Sequence, residues 1–351
     1  MGKTFQPGGF GRDVAMDLGT AWVRVAVKGK GLVLQEPAVA AVDRQTGQVL
    51  QMGRAAQELL GRTPGQLLAV RPLVNGVIAD FTVALAMMQA FLKQALGGRR
   101  MGKPRLLIGV PSGISEVEER AVVEAGLQAG ARRVYLTEAP LAAALGAGID
   151  ITRPEGTLVV NLGAGVTDTA MLSLGSVVTS LCLPVGGDAL DEVLLQTVRQ
   201  NHNLLLGLRT AEAVKRTIGQ VGPVSASRTM EVRGRCISTG LPRDVTLTSE
   251  ETAAAFGPTI DKILTGVLRV LERTPPELTG DAARGGILLT GGGSLLPGLD
   301  RLLAEAAGIP VTVAQDPETC VITGLENLLP QLHRRQEGPM QFARRRQVGL
   351  G

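Results

Sequence analysis

Short apolar runs, broken by glycine-containing turns, alternate with amphipathic stretches along most of this chain. The runs 106–110 and 134–136 have the length and composition of buried strands. Between them, Ser115 and Glu118 have the spacing of a capping box, which predicts a helix that ends at Gly130. A strand, a helix and a strand in that order predict a parallel crossover, so the pattern indicates an α/β fold.

Amphipathic stretches predict helices elsewhere in the chain. One covers residues 83–96, where apolar side chains recur on one side. A longer one covers residues 249–272, is disturbed at Gly257 and Pro258, and ends before the next two prolines. Other expected helix starts are Asp188, Thr210, and Asp316 with Pro317.

The chain is organised around a strand that ends in a turn of small residues and returns as a second strand. The turn 163–166 follows Asn161, and the same unit occurs near the N-terminus, where the turn 19–21 follows Asp17. A third glycine turn, 290–294, follows another apolar run. Turns without bulky side chains expose backbone N–H groups, and phosphate is the usual ligand of such a nest.

A single glycine hairpin is weak evidence for a site, because most such hairpins bind nothing. The occurrence of the same hairpin twice, together with a third glycine turn, makes a binding site more credible than one hairpin does. Two hairpins that face each other could hold a polyphosphate from both sides, and the third turn could close over a nucleoside.

Composition excludes several classes of protein. The chain has 351 residues, of which 44% are hydrophobic and 19% charged, which is enough for two domains, or one large bilobed domain, with a large core. The net charge of +4 is too mild to indicate nucleic acid, and basic residues are not interleaved with aromatic ones. No apolar run reaches the roughly 18 residues that a membrane span needs, and the N-terminus lacks the apolar core of a signal peptide. Cys182, Cys236 and Cys320 stand far apart, which fits a reducing cytosol.

Several segments carry a resemblance to a known family. They are residues 17–21, 76–81, 110–114, 185–188, 230–235, 274–278 and 290–293. From about residue 14 to residue 329, the chain resembles the MreB family of bacterial actin homologues, within the superfamily of actins, sugar kinases and heat-shock chaperone ATPases. The resemblance implies an α/β, actin-like fold of two lobes, each a mixed sheet with flanking helices and a small appended subdomain.

The resemblance also implies domain boundaries. The expected divisions are a flexible N-terminus at 1–12, a lobe I core at 13–36, 71–152 and 318–333, its small subdomain at 37–70, a lobe II core at 153–186 and 247–317, its small subdomain at 187–246, and a disordered basic tail at 334–351.

ATP with Mg²⁺ is the ligand that the resemblance implies. Asp17 and Asn161 are expected to reach the metal through water, although Asp17 could instead cap its own turn. The expected phosphate contacts are Gly19, Thr20, Ala21, Gly163, Ala164, Gly165 and Val166. Trp22 replaces an Asn common in the family and is expected either to pack in the wall of the nucleotide cleft or to crowd the phosphate. The expected sugar and base contacts are Glu212, Ala213, Val214, Lys215, Gly291, Gly292, Gly293 and Ser294. The alternative for Glu212 and Lys215 is an ion pair along the helix.

Hydrolysis is predicted to be weakened or absent. A carboxylate usually helps to orient and polarise the attacking water. Relatives commonly have Glu at the position of Ala139, and Glu138 stands one residue too early. Asn161 stands where the family has Asp. The remaining catalytic candidates are Glu138 and Thr167, whose hydroxyl could hold a water.

The function that the resemblance implies is a cytoplasmic filament at the inner face of the cell membrane that contributes to rod cell shape. Its expected partners are further copies of itself, another MreB, membrane-embedded cell-wall synthesis proteins and the inner membrane surface. Lipid contact by the loop 97–102 or by the basic tail is left open. A regulatory, non-hydrolysing paralogue that co-polymerises with an active one is the closest alternative. A sugar or acetate kinase, which needs a polar sugar pocket, and a chaperone ATPase are disfavoured.

Overall fold

The computed structural model of this protein describes residues 12–59, 65–97, 102–224 and 226–333. The expectations for residues 1–11, for the loop around Met101 and for the tail 334–351 lie outside these residues. Within the described residues, no helix is both long and apolar enough to cross a bilayer.

The described chain contains both strands and helices. The strands are β1 (Asp13–Leu18), β2 (Trp22–Val27), β3 (Gly31–Pro37), β4 (Ala40–Asp43), β5 (Val49–Met52), β6 (Leu67–Val70), β7 (Leu73–Val74), β8 (Val77–Ile78), β9 (Arg105–Val110), β10 (Arg133–Glu138), β11 (Thr157–Leu162), β12 (Thr167–Ser173), β13 (Ser176–Leu183), β14 (Leu204–Leu205), β15 (Thr229–Cys236), β16 (Pro242–Thr248), β17 (Ile287–Thr290) and β18 (Val311–Val313). The helices are α1 (Arg54–Leu59), α2 (Phe81–Leu96), α3 (Glu116–Gln128), α4 (Ala139–Gly146), α5 (Gly187–His202), α6 (Leu208–Ile218), α7 (Ser249–Arg273), α8 (Pro276–Gly285), α9 (Leu299–Ala307) and α10 (Cys320–Leu328), with 3-10 turns at Gly292–Leu295 and Leu329–His333.

Lobe I is built on a mixed five-stranded sheet in the order β10-β9-β1-β2-β3. β1, β2 and β3 form an antiparallel meander, whereas β9 and β10 run parallel to β1. The Ser115 side chain accepts a hydrogen bond from the Glu118 amide, and Glu118 bonds back to the Ser115 amide, so α3 begins with the predicted capping box. The predicted β9–α3–β10 crossover is therefore confirmed.

Lobe II repeats this arrangement. Its sheet has the order β13-β12-β11-β17-β18, with an antiparallel meander of β11, β12 and β13 and with β17 and β18 parallel to β11. The repeated hairpin unit in the sequence therefore corresponds to a repeated half-fold. Each lobe also carries a small three-stranded sheet, β5-β4-β6 in lobe I and β14-β15-β16 in lobe II.

A layer of two helices, α4 and α10, packs between the two main sheets. A Cβ on Gly146 of α4 would overlap the Cys320 carbonyl, and one on Gly324 of α10 would overlap the Ala142 carbonyl. The two helix backbones are therefore in direct contact, which only glycine permits at these positions. Alanines of α4 and leucines of α10 complete a core cluster that includes residues of both main sheets.

Three predicted helix starts are wrong. α5 begins at Gly187 after an N-cap at Gly186, because the first amides of this helix bond to the 163–166 turn, while the Asp188 carboxylate pairs with Arg71 instead. Thr210 lies inside α6, whose N-cap is Gly207. α10 begins at Cys320 rather than at Asp316 and Pro317.

The long helix was predicted to be disturbed at its proline, and that prediction is also wrong. α7 continues through Pro258 from its N-cap at Thr248, which forms a second capping box with Glu251. Phe256 and Ile260 are buried on either side of the proline in the lobe II core. Packing of this apolar face stabilises the helix despite the missing hydrogen bond.

Candidate functional site

A cavity of about 380 Å³ lies between the two lobes, and the three glycine turns form much of its wall. The predicted residues that line it are Asp17, Gly19, Thr20, Ala21, Trp22, Asn161, Gly163, Ala164, Gly165, Val166, Glu212, Lys215, Gly291, Gly292 and Gly293. The predicted residues that are not in its lining are Glu138, Thr167, Ala213, Val214 and Ser294.

The turns of the two hairpins touch each other at this cavity. A Cβ on Gly165 would overlap Thr20 Oγ1 and would lie 3.1 Å from Asn75 Cα. Thr20 Oγ1 in turn accepts a 3.0 Å hydrogen bond from the Gly76 amide. The lobe II turn therefore rests directly on lobe I, as two hairpins that grip one ligand require.

The amides within each turn divide into two sets. Those of Gly19 and Gly163 close their own turns, by bonds of 3.0 Å to the Trp22 carbonyl and 2.8 Å to the Val166 carbonyl. The amides of Thr20, Ala21, Ala164, Gly165 and Val166 have no partner within the described chain. These five amides are the ones available to a phosphate, whereas the Gly19 amide, which was expected to contact the ligand, is already bonded within its turn.

The N-terminus of α5 holds the lobe II turn in place. The Gly187 amide donates to the Gly163 carbonyl at 3.0 Å, and the Asp188 amide donates to the Ala164 carbonyl at 2.8 Å. A Cβ on Gly186 would lie 2.5 Å from the Ala164 carbonyl oxygen, so this close approach requires glycine.

Helix α6 supplies a polar wall on the lobe II side. Lys215 Nζ donates to Asp191 Oδ2 at 2.7 Å and to the Gly187 carbonyl at 2.8 Å, whereas Glu212 pairs with Arg216 at 3.8 Å. The alternative ion pair between Glu212 and Lys215 is therefore absent from the structure. Burial raises the pKa of Asp191 to about 6, against the opposing effect of the Lys215 ammonium.

Ala213 and Val214 stand on the same helix but not in the cavity wall. Val214 is fully buried in the lobe II core. It supports the position of α6 by packing and has no surface to offer a ligand.

The third turn packs closely against the second hairpin. Gly291 has a φ of +83°, and a Cβ on it would lie 2.9 Å from Asn161 Oδ1. The Ser294 hydroxyl donates to the Gly291 carbonyl at 2.6 Å. Ser294 therefore stabilises the turn, and the backbone of the three glycines faces the cavity.

The side chains expected to reach magnesium through water have protein partners in this structure. Asp17 Oδ2 is paired with Arg24 at 3.4 Å. Asn161 is neutral, and its Oδ1 accepts a hydrogen bond from Thr290 Oγ1 at 3.2 Å. The described residues contain no group of three or more His, Cys, Asp or Glu arranged to bind a metal directly. A carboxylate already paired with a guanidinium and a neutral amide offer little charge to a hard divalent cation, and the water-mediated magnesium contact stays a prediction.

Arg24 and Asp168 also line the cavity, at equivalent places in the two hairpins. Arg24 lies directly opposite Asp17 across β1 and β2, and Asp168 lies directly opposite Asn161 across β11 and β12. The sequence patterns single out Asp17 and Asn161 but neither of their cross-strand neighbours. The signal was present, because a hairpin with a defined turn fixes which residues face each other.

Asp168 is fully buried and has an unusual environment. Its Oδ2 accepts a 2.7 Å hydrogen bond from the Ser112 amide, whereas its Oδ1 has no hydrogen-bond partner within the described chain. Burial raises the pKa of Asp168 to about 7; the Ser112 bond opposes this rise and the Glu138 carboxylate adds to it. The surroundings of this carboxyl therefore favour its protonated form.

The two predicted catalytic side chains are engaged with protein partners. Thr167 is fully buried, and its hydroxyl donates to the Val185 carbonyl at 2.7 Å. Glu138 Oε2 accepts a 3.2 Å hydrogen bond from Ser112 Oγ. Ala139, one residue further on, does line the cavity, where it presents only a methyl group.

Two equivalent hairpins from similar lobes, with a third glycine turn beside a cleft, define an actin-like protein. The family described as MreB/Mbl protein matches residues 11–337, and the chain belongs to it.

Individual relatives agree with this assignment. The chain is 45% identical to the cell shape-determining protein Mbl of Bacillus cereus, over 93% of this chain and 98% of the relative. It is also 45% identical to the cell shape-determining protein MreB of Escherichia coli, over 90% of this chain and 93% of the relative. The crystal structure of MreB 5 of Spiroplasma citri bound to AMPPNP superposes with a TM-score of 0.87 at 35% identity, over 92% of this chain and 97% of the other. The predicted family and fold class are confirmed.

Proposed function

We propose that this chain binds ATP in the cleft between its lobes. The observation that carries the proposal is the pair of facing turns, which present the unengaged amides of Thr20, Ala21, Ala164, Gly165 and Val166 to one cavity. The relative from Spiroplasma citri, whose structure contains the nucleotide AMPPNP, supports an adenine nucleotide as the ligand.

The nucleoside would lie between α6 and the third turn. Glu212 and Lys215 border the cavity on one side, and Gly291, Gly292 and Gly293 border it on the other. The glycines allow a flat base to approach their backbone, because there is no side chain in between. We assign the sugar to the α6 side and the base to the glycine turn.

The cellular role that we propose is a nucleotide-dependent filament at the inner face of the cell membrane that contributes to rod shape. The curated relatives are described as cell shape-determining proteins, which supports this role. Further copies of the chain, another MreB and membrane-embedded wall-synthesis proteins are the proposed partners. The protein would be cytoplasmic and peripheral to the membrane.

We further propose that hydrolysis is weak or absent. Ala139 supplies no carboxylate to the cavity, Asn161 is neutral, and the Thr167 hydroxyl is already used by Val185. Binding alone can still close the cleft, because both turns contact the same phosphates. A non-hydrolysing paralogue that co-polymerises with an active partner would have the same chemistry, and the experiment below separates the two.

Calorimetry and sedimentation test the proposal. The purified chain is titrated with ATP and with GTP in the presence of magnesium, and it is then sedimented with ATP, with ADP and without nucleotide. We expect uptake of ATP and nucleotide-dependent pelleting of the chain alone; pelleting only with an active MreB would identify the paralogue. The absence of any adenine nucleotide uptake would overturn the proposal.

A further inference from the structure

Arg24 is a buried cation in the wall of the proposed nucleotide cleft. Its side chain is only 9% exposed, yet the residue lines the cavity beside the 19–21 turn. Its Nε is buried without a hydrogen-bond partner in the described chain. A buried donor without an acceptor is costly, so this group is poised to gain a bond from a ligand.

The sheet places Arg24 where phosphates would lie. It stands across from Asp17 in the β1–β2 register, close to the turn that presents the Thr20 and Ala21 amides. On the other side of Asp17, the facing residue of β9 is Gly109, which has no side chain. Asp17, Arg24 and Gly109 thus stand side by side on three neighbouring strands. Among these three residues, Arg24 alone has a positively charged side chain.

The other described cations that line the cavity are held by carboxylates near α5 and α6. Arg71 pairs with Asp188 at 3.2 Å, Lys215 pairs with Asp191 at 2.7 Å, and Arg216 pairs with Glu212 at 3.8 Å. The Lys215 and Arg216 pairs lie on the lobe II side, and the Arg71 pair joins lobe I to α5, so each of these cations is already engaged by a carboxylate of α5 or α6. A nucleotide's phosphates need positive charge at the turns, and Arg24 is placed there.

The magnesium ligands expected at the same place are weak. Asn161 contributes no charge, and Asp17 is already paired with Arg24. A guanidinium forms two parallel hydrogen bonds with phosphate oxygens and is always protonated, so it can replace a metal as the counter-charge.

We propose that Arg24 stays beside Asp17 and donates its remaining guanidinium N–H groups to the phosphates of the bound nucleotide, so that the cleft takes up adenine nucleotides without magnesium. This inference rests on the proposed function and specifies how that site neutralises its ligand. No covalent bond changes. The contact between Nη1 and Asp17 is kept, so no buried carboxylate loses its cation, and Nε gains the acceptor that it lacks.

Nucleotide titrations with and without magnesium test this inference. Trp22 lines the cavity and is the single tryptophan of the chain, so its fluorescence reports binding directly, with calorimetry as a second readout. ADP and ATP are titrated into the full chain in excess magnesium and in excess EDTA. We expect less than about a 5-fold difference in Kd, because the counter-charge is built into the protein.

The outcomes distinguish the two proposals. Binding in magnesium that is lost in EDTA would overturn this inference and leave the proposed function standing. No binding under either condition would overturn both.

Three variants identify the group responsible. Arg24→Leu should weaken binding in EDTA by about 10- to 100-fold and make it depend on magnesium, as expected for the loss of a charged hydrogen bond. Arg24→Lys keeps the charge but not the two parallel hydrogen bonds, so its binding in EDTA should lie between that of the wild type and that of Arg24→Leu. Arg71→Leu removes another cation from the cavity wall and should change both affinities by the same factor.

Asp17→Asn separates an arginine-based site from a metal-based one. If Arg24 supplies the counter-charge, removal of the opposing carboxylate should tighten binding in EDTA. If Asp17 holds the metal, the same variant should weaken binding in magnesium, which would overturn the inference; tighter binding in EDTA follows in either case, because the carboxylate repels the phosphates. Circular dichroism of each variant checks that it is folded. If Arg24→Leu does not fold, the comparison of Arg24→Lys with the wild type still tests the role of Arg24.

Discussion

The Ser112 amide donates a 2.7 Å hydrogen bond to Asp168 Oδ2, and this bond joins the two lobes. Ser112 follows β9 in lobe I, whereas Asp168 lies on β12 in lobe II, and both residues are buried. The bond lies close to the cavity that Asp168 lines. The protonation state of one carboxyl is therefore linked to the contact between the lobes.

Asp168→Asn should make the protein more stable at alkaline pH. Burial raises the folded-state pKa of Asp168 from 3.8 to about 7, so the fold favours the protonated form. The contribution of the protonated Asp168 to the free energy of unfolding is therefore complete below about pH 4 and is lost as the pH rises through 7. The size of the pKa shift corresponds to a loss of up to roughly 4 kcal/mol. Asparagine is always neutral and can accept the Ser112 bond. We expect a higher midpoint of thermal unfolding at pH 8 and little change at pH 4.

Asp150→Asn is a matched control for that experiment. Asp150 is exposed, and hydrogen bonds from Thr152 lower its pKa, so its contribution to stability has the opposite pH dependence. This variant should not become more stable at pH 8. An equal gain for Asp168→Asn at both pH values would show that the gain comes from packing rather than from the charge.

Gly165→Ala should weaken nucleotide binding by at least about 10-fold while leaving most of the fold intact. The added methyl group would overlap Thr20 Oγ1 and must push the two turns apart, because the neighbouring atoms include the backbone of Asn75. A displacement of the turns removes phosphate contacts, each worth about 1.5–3 kcal/mol when charged. Calorimetric titration with ATP measures the loss.

Gly280→Ala provides the comparison for the glycine substitution. Gly280 lies inside α8, and nothing stands within 4 Å of a Cβ built there. This change should leave binding unaltered and stabilise the helix by about 0.5–1 kcal/mol. If Gly165→Ala binds ATP as tightly as Gly280→Ala, the two turns do not share one ligand.

The hairpin units could be predicted from sequence because their signals are local. Strand alternation and a small-residue turn are both written within about ten residues, and the two copies at Asp17 and Asn161 fold alike. The start of α5 could not be predicted this way, because its first turn is determined by bonds to the carbonyls of Gly163 and Ala164. Tertiary contacts of this kind override the preference of Asp188 for an N-cap position.

The candidate site was predicted in outline but not in its charges. Every glycine of the three turns lies at the cavity, as the pattern predicts. Arg24 and Asp168 were missed, although the hairpin register places them opposite residues that had been singled out. The raised pKa of Asp168 had no local signal, because its causes are burial between the lobes and the neighbouring Ser112 and Glu138.

Replacement of Ala139 by Glu, together with Asn161→Asp, should raise the rate of phosphate release by about 10-fold or more. Ala139 is the first residue of α4 and lines the cavity, so a carboxylate there would reach the ligand and could polarise an attacking water. Positioned acids and bases contribute about 10²–10⁴-fold in enzymes, and an imperfectly placed one contributes less. Steady-state phosphate release with excess ATP measures the rate.

The control is Glu138→Gln. The Glu138 carboxylate already bonds to Ser112, so its replacement should change the rate of phosphate release little. Wild-type turnover equal to that of the double variant would contradict the claim that the missing carboxylates limit hydrolysis.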